Sequence, residues 1–167
     1  MPQVSSERRK YIPIAFLRPG VLCGDKLRLI PDATLWHFGI LCSAIHMAWT
    51  RHVTGRLKSD YQYSAKIVYN NFPWPQEVSE KQKAAVEEAA QRVLDVRKEF
   101  PGSTLADLYD PVAMPPKLAK AHAALDKAVA RCYRKEPFRS DRERVEHLFA
   151  LYETLAARGA QPILKEK

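Results

Sequence analysis

Residues 31–53 read PDATLWHFGILCSAIHMAWTRHV, and the reading of the whole chain depends on what this stretch becomes. Its apolar residues, Leu35, Trp36, Phe38, Ile40, Leu41, Ile45, Met47 and Trp49, fall on every side of a helical wheel rather than on one stripe. A helix that is apolar all round is a buried helix. The spacing predicts one continuous helix from Thr34 to about Val53, with Asp32 as its N-cap and Gly55 as its stop. Arg51, His52 and Arg56 follow its C-terminal end, where the helix dipole favours cations. A buried helix of this length calls for strands wrapped about it.

Strand character lies on both sides. Upstream, residues 10–17 (KYIPIAFL) are β-branched and aromatic, with Pro13 restricting them to an edge or bulged strand. Residues 21–30 predict a hairpin turning at Gly24-Asp25, with Lys26 and Arg28 giving it a basic face. Downstream, residues 56–72 return to strand pattern until Phe72-Pro73-Trp74-Pro75, which continues neither a helix nor a central strand. Beyond that point the period becomes helical. Ser79-Glu80-Lys81-Gln82 and Ser140-Asp141-Arg142-Glu143 are capping boxes, and Met114-Pro115-Pro116 places proline where a helix start tolerates it. The stripes Val86, Ala89, Ala90, Val93, Val96, Phe100 and Leu118, Ala121, Leu125, Ala128, Val129, Cys132 predict two long helices. Val145, Leu148, Phe149, Tyr152 and Leu155 predict a third, and three such helices with short joints predict an antiparallel bundle. The expected class is α+β: a small mixed α/β domain over residues 1–75 around the buried helix, then an all-α three-helix domain over residues 76–167.

The 167 residues are enough for a real core, and 28% charged against 46% hydrophobic residues is a globular composition. Three cysteines, an odd number without metal or redox spacing, argue for a reducing, cytoplasmic setting rather than a disulfide framework. No apolar run reaches bilayer length, and the first ten residues lack the apolar core of a secretory signal. The chain enters a strand almost at once, as a piece cut from a longer protein would. Of the net charge of +8, residues 1–75 carry ten basic against four acidic side chains, or +6. A positive excess concentrated there suits phosphates. The second half is highly charged but balanced, as solvated helix faces are.

A search for catalysis returns little. There is no glycine-rich phosphate loop. Cys42 and His46, at i and i+4 on the buried helix, supply two ligands where zinc takes four, so a core thiol beside a satisfied core histidine is the better reading. His122 and His147 are expected as surface histidines on different helices. Asp107 and Asp110 read as cap and turn residues, and no nucleophile has a base beside it. The chain alone lacks catalytic motifs, metal ligands and a cofactor site.

What remains is recognition. In GRLKSDYQYSAKIVYNNFPWP, residues 55–75, the side chains of Lys58, Asp60 and Gln62 alternate with Ser59, Tyr61 and Tyr63. On an extended strand they would share a face. Each has a base-edge partner in the major groove: Lys donates to guanine N7 and O6, Asp accepts from cytosine N4, and Gln pairs with adenine. Arg51, Arg56, Lys66 and the Arg8-Arg9-Lys10 cluster, with Arg28 on the basic hairpin, would hold phosphates. A polar strand face carrying an ordinary Lys–Asp ion pair fits the same letters. So does an RNA-binding module stacking bases on Tyr61 and Tyr63, and a helical protein-interaction domain remains a further alternative.

HVTGRLKSDYQYSAKIVYNNFPWP, together with PQVSSERRKYIPIAFL and LIPDATLWHFGILCSAIHMAWTR, resembles the C-terminal part of the MmeI-like family. These are combined restriction–modification enzymes and related class I DNA methyltransferases of bacteria. FPWP, LADLYDP, MPPKLAKAHAALDKAV and the closing Arg-Val-x-x-Leu-Phe-x-Leu-Tyr extend the likeness over essentially the whole chain. The resemblance implies a target recognition domain, truncated at its N-terminus, followed by a C-terminal helical domain. It implies double-stranded DNA as partner, with an upstream methyltransferase domain of the same polypeptide that uses S-adenosylmethionine on adenine N6. The family's cofactor fingerprint and its Asn-Pro-Pro-aromatic motif are missing from this sequence, and it leaves open whether an endonuclease accompanies them. The resemblance also implies base-recognition positions at Lys58, Asp60 and Gln62, and at Asp25 and Lys26 on the resemblance alone.

Overall fold

In a computed structural model of the protein, the structure of residues 1–159 is described. The stretch 31–53 forms two helices, α1 (Leu35–Leu41) and α2 (Ala44–Val53), instead of the single helix its pattern suggests. The break falls at Cys42-Ser43. Ser43 is an N-cap residue, its hydroxyl donating to the Ile40 carbonyl at 2.7 Å, and the freed amide of Ala44 donates to the Asp126 carboxylate at 2.7 Å. Periodicity does not register such a break, because both pieces are buried on all sides. Thr34, not Asp32, caps α1: its amide donates to Nδ1 of His37 at 3.1 Å, while Asp32 lies in the preceding turn at φ 53°. α2 ends at Thr54, and Gly55 already belongs to a strand.

The strands are short. β1 (Val4–Ser5), β2 (Gly55–Leu57) and β3 (Asp60–Gln62) form an antiparallel sheet in the order β1-β3-β2. Residues 10–17 have no regular secondary structure and lie outside the sheet, and residues 21–30 form an irregular arm rather than a hairpin. Its one turn, at Asp25-Lys26, leads to a bridge between Leu27 and Pro2. The expected strand over 56–72 stops at Gln62. Ala65–Tyr69 makes a single π-helical turn, capped by Ser64 and closed by Asn71, whose side-chain amide donates to the carbonyls of Lys66 and Ile67.

The second half is helical as its pattern predicts: α3 (Glu80–Lys98), a single turn α4 (Leu105–Leu108), α5 (Pro116–Tyr133) and α6 (Asp141–Ala157). Ser79 and Gln82 form the expected reciprocal box. Ser140 caps α6, but the Glu143 carboxylate is taken by Arg134 and the Arg139 amide instead of completing a box. α3 and α5 pack antiparallel, Gln82 at the start of α3 reaching the Arg131 carbonyl at the end of α5. The three long helices do not close into a bundle of their own. α6 lies along α2, with Phe149 and Tyr152 against the Trp49 ring at 5.2 and 5.9 Å. α1 fills the place against α3. Gly39 makes that approach possible: a Cβ there would stand 2.7 Å from Cγ1 of Val86.

One core therefore runs through both halves, from Tyr11, Ile45 and Trp49 to Val93, Leu118 and Leu125. Phe72 of the Phe-Pro-Trp-Pro segment is fully buried within it, 4.8 Å from the His46 ring. A polar seam crosses the same boundary. Arg97, nearly buried, donates to the Tyr109 hydroxyl at 2.9 Å and to the Ile14 carbonyl at 2.7 Å. Tyr109 meets Nε2 of His122 at 2.6 Å, His122 stacks on Tyr11 at 4.1 Å, and Tyr11 donates to Asp126 at 2.7 Å. His122, expected on the surface, is completely buried. It sits four residues after Leu118 and three before Leu125, on the inward face of α5, where its nitrogen finds a tyrosine partner.

Candidate nucleic-acid interface

β2 and β3 form a hairpin closed by the two residues Lys58 and Ser59, with Leu57 paired to Asp60 and Arg56 to Tyr61. Lys58 is thus in the turn and not on the strand, at φ 56°. Only Asp60 and Gln62 share a strand face as the alternation predicts; Tyr61 between them is buried at 4% exposure. The turn comes without a glycine or asparagine to announce it, and a non-glycine residue in this region stores backbone strain. Lys58 and Gln62 are exposed and Asp60 half-buried. Among the described residues none of the three side chains has an ion-pair or hydrogen-bond partner, so Lys58 and Asp60 do not form the ordinary surface pair that would have explained them away.

The second candidate spot is separate. Asp25 and Lys26 pair with each other at 3.0 Å, both 82% exposed. Backbone hydrogen bonds nonetheless join this turn to the hairpin: the Gln3 amide donates to the Lys26 carbonyl at 2.8 Å, and the Tyr63 amide to the Gln3 carbonyl at 2.7 Å. The arm, the N-terminal segment and β3 thus form one sheet-like layer with neighbours about 4.8 Å apart.

The cations divide into two kinds. Arg8, Lys10 and Lys66 are exposed, and Arg9 and Arg28 half-exposed, without carboxylate partners among the described residues. Arg51 is a brace between α2 and α6, donating to Asp141 at 2.7 Å. Arg56 lies over the Tyr61 ring at 4.3 Å and 3.5 Å from the Glu7 carboxylate. Glu7 is a member of this cluster that sequence reasoning missed, being 49 positions from its partner with no motif to link them. Tyr61 and Tyr63 are both buried, which removes the stacking platforms an RNA module would need.

The other chemistry-bearing side chains noted in the sequence are engaged within the fold. Burial pushes the Cys42 thiol up to about 11 and holds His46 down at about 3, and Nε2 of His46 is engaged by the Tyr63 hydroxyl at 3.0 Å. No group of three metal-ligand side chains occurs among the described residues. Asp107 closes a capping box with Thr104, and Asp110 accepts from the amides of Val112 and Ala113. No described helix is long and apolar enough to cross a membrane.

Comparison with known proteins shows the family. Residues 1–76 match the family model of the MmeI target recognition domain and residues 78–158 that of the MmeI C-terminal domain. DNA methyltransferase A of Bacillus subtilis (strain 168) is 46% identical over 158 residues, covering 95% of this chain and 18% of that protein. The structure of the Type IIL restriction-modification enzyme MmeI in complex with DNA superposes with a TM-score of 0.89 at 44% identity, covering 93% of this chain and 21% of the MmeI chain. The chain spans about a fifth of the length of the relatives it matches. It belongs to the MmeI family, its first half the target recognition domain and its second the C-terminal domain.

Proposed function

We propose that this chain reads a specific base sequence in double-stranded DNA on behalf of a site-specific DNA methyltransferase. The observation that carries the reading is the β2–β3 hairpin, where Lys58 in the turn and Asp60 and Gln62 along β3 stand without protein partners among the described residues, on a scaffold anchored in the core. Unpaired charge kept on a rigid support is what a base-reading surface requires, since its donors and acceptors must be free before the DNA arrives. Lys58 donates to guanine N7 and O6, and Asp60 accepts from N4 of the paired cytosine. Gln62 contacts a neighbouring pair, and Asp25 and Lys26 open from their mutual pair to reach another. Arg8, Arg9, Lys10, Arg28 and Lys66 take phosphates. The two units are residues 1–75 for recognition and residues 76–167 as the helical support. Residues 160–167 lie outside the described structure.

The methyl donor of such a parent enzyme is S-adenosylmethionine and, by the family resemblance, its target atom is adenine N6. Both belong to a methyltransferase domain of the same polypeptide, in the cytoplasm. Whether cleavage accompanies methylation is a property of that parent.

Selection of bound duplexes from a randomised pool tests the reading. The native chain should enrich one sequence, with duplex preferred over single-stranded RNA. The double substitution Lys58→Glu with Asp60→Arg exchanges donor and acceptor, so it should turn G·C into C·G at one position and leave the others unchanged. Either single substitution should bind both pairs poorly, by about 1–3 kcal/mol. An unchanged preference in the double variant would reduce Lys58 and Asp60 to solvated charges.

A further inference from the structure

Arg56 resembles a phosphate ligand in the sequence, but its surroundings give it another task. It sits on β2 directly opposite Tyr61. Its Nη1 donates to the Ser59 carbonyl at 2.9 Å, its guanidinium lies 4.3 Å from the centre of the Tyr61 ring, and the Glu7 carboxylate stands 3.5 Å away. The Tyr61 hydroxyl in turn donates to the Glu7 carbonyl at 3.3 Å. These contacts form a closed circuit around the hairpin: turn carbonyl, guanidinium, buried ring and N-terminal segment.

The circuit has a mechanical consequence. Lys58 occupies a left-handed conformation that glycine or asparagine would adopt at little cost, so the turn does not hold itself in place. Among the described residues, the one side chain that hydrogen-bonds the turn backbone is that of Arg56. Its planar fork can stack on Tyr61 and donate in plane to Ser59 together, which a lysine cannot do. Arg8 and Lys66, exposed as Arg56 is, have no such set of contacts among the described residues, and Lys10 has only the Tyr11 ring, 5.4 Å from its ammonium.

We infer that Arg56 is a positioning residue. It fixes the Lys58-Ser59 turn, and through it the direction of the Lys58 and Asp60 side chains, and it is not a phosphate contact. This rests on the reading of the hairpin as the base-reading element.

Three measurements on the whole chain separate these roles: amide hydrogen exchange over residues 55–62 without DNA, the salt dependence of duplex binding, and selection from a randomised pool. Arg56→Ala should speed exchange of the hairpin amides by about tenfold or more and broaden base preference at the position read by Lys58 and Asp60, while leaving the log–log salt slope unchanged. Arg56→Lys keeps the charge and should fail to restore protection. Glu7→Gln should act in the same direction, more weakly. Arg8→Ala, as the phosphate control, should lower the slope by about 0.9 and keep both protection and base preference. A slope reduced by about 0.9 in Arg56→Ala, with hairpin protection intact, would overturn the inference. If the native chain itself selects no sequence, the DNA reading fails, and exchange in the free protein still decides whether Arg56 orders the turn.

Discussion

Lys58 pays for its place at the hairpin tip with an unfavourable backbone. A non-glycine residue at φ 56° costs of order 1 kcal/mol, and such strain tends to sit where function needs a particular side chain. Lys58→Gly should therefore raise the stability of the chain, by up to about 1 kcal/mol in urea unfolding, while abolishing selection at the position that Lys58 is proposed to read. Unchanged or lower stability would show that the turn is relaxed with lysine in it. The alternation Lys58, Asp60, Gln62 was legible in the sequence, and two of the three do share a strand face. The turn beneath the third was not, because GRLKSDYQ has no glycine or asparagine at its centre. His122 illustrates the same limit: its burial depends on Tyr109, Tyr11 and Arg97, and only the fold brings these together.

Among the elements, the crossing of α1 and α3 is the most sharply determined. Gly39 faces Val86, Ala90 and Leu125, with Val86 too near for any Cβ. Gly39→Ala should destabilise by about 1–3 kcal/mol through overpacking, although alanine is the better helix former by about 1 kcal/mol. Val86→Ala in the same chain should recover part of that loss, and a double-mutant cycle in urea would reveal the coupling. Additive effects would mean that the helices separate instead of clashing. Helices α3, α5 and α6 were legible because caps and periodicity are local signals, present in Ser79, Pro116 and Ser140. The division of α1 from α2 was hidden because its decisive partner, Asp126, lies 82 residues from Ala44. The partner of α6 was hidden too: its apolar stripe shows that it packs, but not that Trp49 is what it packs on.

At the scale of the molecule, two buried histidines, His122 in the seam between the halves and His46 beside Tyr63 and Phe72, make stability depend on pH. Burial holds His46 and His122 neutral, down at about 3 from the ordinary 6.5. The unfolded chain takes up protons on both below pH 6.5 while the folded chain refuses them. Their contribution is thus complete above pH 6.5 and is lost as pH falls towards 3. Two protons correspond to a slope approaching about 2.7 kcal/mol per pH unit. Burial raises the Asp126 carboxyl, which has the opposite sign: the folded state binds that proton more readily, so this single group offsets part of the loss at the acid end. Unfolding in urea at pH 7.5, 6 and 5 should show stability falling below pH 6.5, and His122→Gln should make the slope shallower without abolishing it, since burial also lowers His37 and His147. A flat profile would mean that the histidines are protonated in the fold.

The continuity of the core also bears on how such proteins diversify. An exchange between relatives that cut at the Phe-Pro-Trp-Pro segment would set Gly39 of one lineage against the Val86 counterpart of another, and Ala44 against a foreign Asp126. Residues 1–158 should therefore be inherited as a block. Lys58, Asp60 and Gln62 are under no such obligation, since no neighbour among the described residues depends on their side chains. If these three read bases as proposed, point changes there would alter what is read without disturbing what holds it, and new specificities would arise one letter at a time on an otherwise constant body.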